Sequence, residues 1–134
     1  MRYAILIYDT EAANPSAVQP PADVAAQVMD QWNDYTRMLR ARGAYRAGDA
    51  LQPVQTATTI RQQDGRTVTT DGPFAETKEA LGGFYIVEAR DLDEALEFAT
   101  ACPGVRYGSI EVRPVIQFPE GAAEHETAGA GAQA

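Results

Sequence analysis

The sequence predicts an α+β fold in which two helices pack on one face of a β-sheet. Three observations support this prediction. Residues 2–8 (RYAILIY) and 83–89 (GFYIVEA) are short apolar runs typical of buried strands, apolar residues recur at helical spacing across positions 22–41, and a helix start follows at residues 91–94 (DLDE). The chain has 134 residues, enough for one domain with its own core and too few for two ordinary ones.

The first helix is predicted over residues 22–41. Its apolar residues, among them Trp32, Tyr35 and Leu39, follow one another at spacings of three and four, so they form a single stripe, which Gly43 ends. We interpret Trp32 and Tyr35 as core residues rather than as a platform for a ligand.

A hairpin and a second helix are predicted further along the chain. Residues 56–70 contain two threonine-rich strands joined by a Gln-Asp-Gly turn at residues 63–65, and Asp-Gly is a strong hairpin signal. The second helix begins at Asp91, where Glu94 completes a capping box. The Pro-Gly pair at residues 103–104 closes it.

The last predicted strand covers residues 108–118 (GSIEVRPVIQF) and alternates apolar with polar residues. Its proline, Pro114, indicates an edge strand, because proline cannot donate a hydrogen bond to a neighbouring strand. The predicted order is β-α-β-β-β-α-β, which describes a ferredoxin-like βαββαβ sandwich with an extra hairpin.

This order leaves one face of the sheet without a cover. Two helices shield only one face, whereas the strands at residues 2–8 and 83–89 are apolar on both faces. A second copy packed sheet against sheet would cover that face and enclose a cavity, so we expect a homodimer that forms a dimeric α/β barrel. The alternative is that residues 44–82 fold over their own sheet; we favour the homodimer because that segment has few large apolar residues.

Composition excludes several classes of function. The net charge of −8 disfavours nucleic-acid binding, and no apolar run approaches the length of a membrane span. One cysteine and one histidine leave no disulfide and no zinc or haem pattern, so we expect a cytoplasmic protein without a cofactor. An all-carboxylate magnesium or calcium site stays open, although no EF-hand spacing is present. The domain is predicted over residues 1–118, followed by a disordered Ala/Gly/Glu-rich tail at 119–134.

Residues 71–84 (DGPFAETKEALGGF) are the densest candidate motif. Asp71 opens a turn with the following Gly-Pro pair, and the Gly-Gly pair at residues 82–83 indicates a bulge or a close backbone approach at a strand entry. Two interpretations of Glu76, Lys78 and Glu79 stay open. They are either solvated ion pairs, or a carboxylate general base with Lys78 as its electrostatic partner for an anionic substrate.

A second candidate cluster lies on the predicted sheet. Glu111 and Arg113 alternate onto the face opposite Ile110 and Val112, so they point toward the dimer cavity if the latter pair faces the helices. Arginines there would suit a carboxylate or phenolate ligand, and Arg61 is expected to point the same way. The competing interpretation is a satisfied salt bridge between strands or subunits.

Two further predictions concern single side chains. Tyr8 and Asp9, at the end of the first strand, are candidates for the rim of the cavity. Cys102 follows the second helix, where the helix dipole raises a thiol pKa, so we expect it to be inert packing.

Five stretches together resemble one family: YAILIY at residues 3–8, TTIR at 58–61, DGPFAETKEALGGF at 71–84, DLDEA at 91–95 and IEVRPV at 110–115. In this order they resemble the DGPF or YCII-related (YciI-like) family. The resemblance implies a dimeric ferredoxin-like α/β barrel and a functional link to an extracytoplasmic-function sigma factor. The wider superfamily includes proteins with a His/Asp pair in a cleft and relatives of aromatic-degradation dehydrochlorinases, but the first helix here has no histidine, so that pair does not carry over.

The function hypothesis that follows is a protein that binds a small anionic or aromatic molecule. It would act as a metal-independent acid–base enzyme of the lyase or isomerase type. The alternative is a non-catalytic ligand sensor or interaction partner in sigma-factor regulation, and a third hypothesis is that DGPFAETKE is only a structural clamp for the dimer. The predicted catalytic residues are Glu76, Glu79 and Lys78, and the predicted ligand-binding residues are Arg61, Asp71, Phe74, Glu111, Arg113 and Tyr8.

Overall fold

The computed structural model describes residues 1–10 and 21–119. The elements are β1 (Arg2–Asp9), α1 (Ala22–Ala41), β2 (Tyr45–Ala50), β3 (Thr58–Gln63), β4 (Arg66–Asp71), β5 (Ala80–Glu88), α2 (Leu92–Ala101) and β6 (Gly108–Pro114), with short 3₁₀ turns at Val54–Thr56 and Pro103–Arg106. The predicted tail lies outside the described residues, except for Pro119. Neither described helix has the length and apolar character that a membrane span requires.

Four strands form an antiparallel sheet in the order β2-β5-β1-β6, and β3 pairs with β4 in a separate two-stranded sheet. This topology is ferredoxin-like with an extra hairpin, as the sequence predicts. β6 lies at the edge of the sheet, which confirms the inference from Pro114, but it ends at that proline instead of running to residue 118. The Val115 N–H still donates to the Arg2 carbonyl at 2.9 Å, and the pairing stops there because β1 begins at Arg2.

Strand β2 (YRAGDA) is absent from the sequence prediction. It contains no alternating apolar residues, and Gly48 and Asp49 are poor strand formers. Pairing with β5 imposes the strand conformation, since Gly48 pairs with Tyr85 and Ala50 with Gly83. This second edge strand completes the sheet.

The predicted start of α2 is confirmed at Asp91. Its carboxylate accepts a hydrogen bond from the Glu94 backbone N–H at 2.9 Å. The returning bond differs from a standard capping box, because the Glu94 carboxylate accepts from the backbone N–H of Arg90 at 3.0 Å rather than from that of Asp91.

The core lies between the sheet and the helices. Tyr3, Ile5 and Ile7 alternate toward the helices and are buried, together with Leu39 of α1 and Phe98 of α2. The N-terminal half of α1 packs less closely, so only Tyr35 and Leu39 of this helix are buried. A cleft lies between the sheet and residues 28–36 in the middle of α1.

The opposite, helix-free face of the sheet contains Ala4 and Leu6 of β1 beside Ile86 and Phe84 of β5. The β3–β4 hairpin does not cover it, because every residue of β4 is exposed and Ile60 of β3 is 66% exposed. The alternative that this part of the chain folds over its own sheet is therefore wrong for the hairpin.

Candidate functional site

A cleft of about 430 Å³ lies between the middle of α1, at residues 28–36, and the end of the sheet where β1 finishes. Trp32 from α1 and Tyr85 from β5 form its aromatic wall, and Tyr45 adds a third ring. Ile7 and Asp9 of β1 also line it. Four elements therefore contribute to one concave, largely apolar site, which is the usual form of a small-molecule site.

Tyr85 is held at the centre of the aromatic wall. Its ring is nearly parallel to that of Trp32, with centroids 6.4 Å apart, and meets the ring of Tyr35 edge-on at 5.2 Å. Its hydroxyl lies 2.8 Å from the Thr36 hydroxyl. Burial raises the pKa of Tyr85 above its ordinary value, and the Thr36 hydrogen bond offsets only part of this rise. Tyr85 therefore presents a protonated hydroxyl at neutral pH.

A β-bulge brings the Asp9 carboxylate to the end of the cleft. Ile7 pairs with Gly83 and Tyr8 with Leu81, which leaves Gly82 as an extra residue in β5. A Cβ atom on Gly82 would lie 3.0 Å from Asp9 Oδ1, tighter than most real contacts. The expected bulge is thus confirmed at Gly82, and the expected close backbone approach at Gly83, where a Cβ atom would lie 3.0 Å from the Asp49 carbonyl oxygen.

The described charged residues that line the cleft are all acidic. Asp49 also lines it but pairs with Phe84, so its side chain projects to the helix-free face, and Asp9 is left as the carboxylate on the helix side. Among the described residues that line the cleft, none is a lysine or arginine. This environment favours neutral or cationic ligands with hydrogen-bond donors over anions.

The first half of the DGPF motif lies at the base of the hairpin. Gly72 has a φ of 101°, and its carbonyl accepts a hydrogen bond from the Thr59 hydroxyl at 2.8 Å. The Arg61 guanidinium donates to the Phe74 carbonyl at 2.9 Å, whereas the Phe74 ring is 76% exposed. These side-chain bonds hold the motif backbone to the hairpin of the same chain, and a clamp for the dimer stays a prediction.

A second cleft, of about 540 Å³, lies beside this turn, and Asp71 and Glu76 line it. Lys78 and Glu79 do not line it, and Lys78 is exposed. The structure therefore separates the three residues predicted to be catalytic.

Glu79 and the β6 cluster lie near the helix-free face. The Glu79 carboxylate accepts from the Ser109 hydroxyl at 2.8 Å. The Glu111 carboxylate accepts from the Tyr8 hydroxyl at 3.3 Å and forms an ion pair with Arg113 Nε at 3.4 Å.

The β6 alternation agrees with the prediction, since Ile110 and Val112 pack against the core and Glu111 and Arg113 point the other way. The observed ion pair differs from the predicted salt bridge, because Glu111 and Arg113 pair within one strand and not between strands or subunits.

Comparison with known proteins gives the family. The YCII-related domain matches residues 1–119. The chain belongs to the YCII-related family. An uncharacterised protein of Rhizobium meliloti is 39% identical over 125 residues, which covers 90% of this chain and 97% of that protein.

A solved structure is also similar to this family member. It is 5-chloro-2-hydroxyhydroquinone dehydrochlorinase from Burkholderia phenoliruptrix in complex with 2,5-dihydroxybenzoquinone. The match has 18% identity and a TM-score of 0.46, and it covers 88% of this chain and 96% of that one.

In this YCII-related protein, sequence reasoning missed Tyr85 as a wall of the cleft and assigned Trp32 to the core. Tyr35 is buried as predicted, and the half-buried Trp32 packs against the core as predicted but also lines the cleft. The sequence carried no signal that separates Trp32 from the core, because it lies on the same helical stripe as Tyr35 and Leu39. Within the described residues, no group of three or more His, Cys, Asp or Glu side chains is placed to hold a metal ion.

Proposed function

We propose that this protein binds a small aromatic compound with a hydroxyl or amino group in the cleft between α1 and the sheet. The observation that supports this proposal is that the parallel rings of Trp32 and Tyr85 and the carboxylate of Asp9 belong to one cleft. An aromatic ligand can stack or pack edge-on against such a wall. A phenolic O–H or aromatic N–H can donate to the carboxylate, and that bond is stronger in apolar surroundings.

Among the described residues that line the cleft, Asp9 is the one to which we assign acid–base chemistry. Its carboxylate lies on the cleft side of the sheet, whereas Glu76, Lys78 and Glu79 lie outside the cleft. A carboxylate within hydrogen-bond reach of a ligand O–H is positioned to accept its proton. The lack of a basic side chain among the described lining residues makes an anionic substrate the poorer fit.

We also propose that two copies pair through the helix-free face. Leu6, Phe84 and Ile86 form an apolar centre there, and Glu111 and Arg113 lie at its β6 side. An apolar centre with a polar margin is the usual composition of a protein interface. Leu6→Asp would bury two unpaired carboxylates in such a dimer, so we expect it to give a folded monomer by light scattering coupled to gel filtration. A Leu6→Asp protein that keeps the mass of the wild type would contradict this pairing.

The ligand proposal is tested by the fluorescence of Trp32, the single tryptophan of the chain. Phenol and aniline serve as donor probes, and benzoate is the anionic control of similar size. We expect phenol or aniline to change the Trp32 emission in a saturable way and benzoate to bind more weakly.

Asp9→Asn should weaken binding of the donor probes by about tenfold or more, because a hydrogen bond to a charged group is lost. Asp64→Asn is the matched control, since it makes the same change at the hairpin turn between β3 and β4. Tighter binding of benzoate, or equal effects of the two substitutions, would refute the proposal.

A further inference from the structure

The ring of Tyr85 rests directly on the backbone of β2. A Cβ atom on Gly48 would lie 2.8 Å from Tyr85 Cδ1 and 3.1 Å from Cε1, whereas ordinary contacts begin at 3.4 Å. Any residue other than glycine at position 48 must therefore displace the ring by about 0.6 Å or more. The close approach explains a glycine in the middle of a strand, where it otherwise weakens pairing.

Tyr85 has little freedom to absorb that displacement. Trp32 lies parallel to its ring, and Tyr35 and Tyr45 meet it edge-on at 5.2 and 6.2 Å. Tyr45 is itself covered by the Arg40 guanidinium, 4.1 Å from its ring centroid. The Thr36 hydroxyl fixes the far end of Tyr85. Movement of the ring away from β2 is therefore passed to its aromatic neighbours.

Both Gly48 and Tyr85 line the cleft, so a side chain at position 48 removes space in two ways. Its Cβ atom occupies the cleft beside β2, and the displaced ring moves the aromatic wall. We propose that Gly48 is the residue that sets the width of the cleft and hence the size of aromatic ligand that it accepts. This inference rests on the proposed function, because it concerns the selectivity of the same cleft.

The test compares a small and a large aromatic alcohol, phenol and 1-naphthol, by titration of Trp32 fluorescence. In Gly48→Ala we expect 1-naphthol to bind roughly tenfold more weakly, or worse, than to the wild type, since misfit by one methyl group has effects of this size. Phenol binding should change less than 1-naphthol binding. The emission of Trp32 without ligand should also shift, because its parallel neighbour has moved.

A second pair of variants tests whether the Tyr85 ring mediates the effect. Tyr85→Leu removes the ring, so adding Gly48→Ala in that background should weaken 1-naphthol binding by a smaller factor than in the wild type, because only the added Cβ atom then takes up space. If Gly48→Ala alone does not fold, the double variant still tests the inference. Folding restored by Tyr85→Leu would support a clash between the side chain at position 48 and the Tyr85 ring.

The outcomes separate the two proposals. If the wild type binds neither alcohol, the proposed function fails and this inference fails with it. If the wild type binds both but Gly48→Ala retains full affinity for 1-naphthol, only the inference is overturned. An equal loss from Gly48→Ala with and without the Tyr85 ring would overturn the role of the ring and leave the added Cβ atom as the cause.

Discussion

Tyr35→Phe should measurably loosen the junction between the two helices. The Tyr35 hydroxyl donates to the backbone carbonyl of Phe98 at 2.6 Å, and both residues are buried. This carbonyl lies in the last turn of α2, where the N–H of Cys102 donates to Ala99 instead of continuing the helical pattern to Phe98. The tyrosine therefore supplies a donor that the end of the helix lacks.

The expected loss follows from what the substitution leaves behind. Phenylalanine keeps the ring contacts of Tyr35 but leaves a buried carbonyl without this donor, which costs about 1–2 kcal/mol. For a domain of this size the thermal unfolding midpoint should fall by about 4–8 °C. Burial raises the pKa of Tyr35 far above its ordinary value, so the hydroxyl stays a donor throughout the neutral range.

The assay is thermal and urea unfolding monitored by circular dichroism, with Tyr107→Phe as the control. The Tyr107 hydroxyl lies 3.5 Å from Gln31 Oε1 and is only part-buried, so its removal should cost less than about 0.5 kcal/mol. Equal losses from the two substitutions, or a loss below about 0.5 kcal/mol for Tyr35→Phe, would refute the assignment of Tyr35 as the cap of α2.

Three further predictions concern single residues. Burial raises the pKa of the Cys102 thiol from 9.0 to about 11, so the unfolded chain loses this proton first and the free energy of unfolding should fall between pH 9 and 11. In thermal melts across this pH range, Cys102→Ala should make the fall shallower. An unchanged slope would contradict burial of the thiol as its cause. Gly82→Ala should destabilise the fold by about 1 kcal/mol and weaken phenol binding, because it crowds Asp9 Oδ1; unaltered phenol affinity would argue against Asp9 as the ligand's acceptor. Asp91→Ala should lower the free energy of unfolding in urea by about 1 kcal/mol, because the N-cap of α2 is lost. Asp93→Ala, in the same helical turn, should cost clearly less. Equal costs would exclude the cap as the cause.

Elements with strong local signals could be predicted from the sequence. The first helix has the predicted bounds, because its apolar stripe and the following Gly43, with a φ of 67°, define it locally. The β3–β4 turn was predictable for the same reason, since Asp64 and Gly65 both have positive φ. Strand β2 was not, because its conformation comes from pairing with β5.

The candidate site was harder to predict than the fold. The motif at residues 71–84 indicated the right region in part, since its glycine pair forms the end of the cleft. The carboxylate beside that pair belongs to Asp9, more than seventy positions earlier in the chain, and only the strand register brings them together. Glu76, Lys78 and Glu79 remain predictions as catalytic residues, each in different surroundings from the cleft.

The sequence by itself determined the two helices, the apolar strands and the hairpin, because each depends mainly on neighbours in the chain. Only the tertiary structure decided that Trp32, Tyr85 and Asp9 line one cleft while Glu111 and Arg113 face the other side of the sheet. The physical reason is that side-chain direction in a sheet has a period of two residues. A single bulge and the loose packing of half of α1 therefore determine which side chains meet.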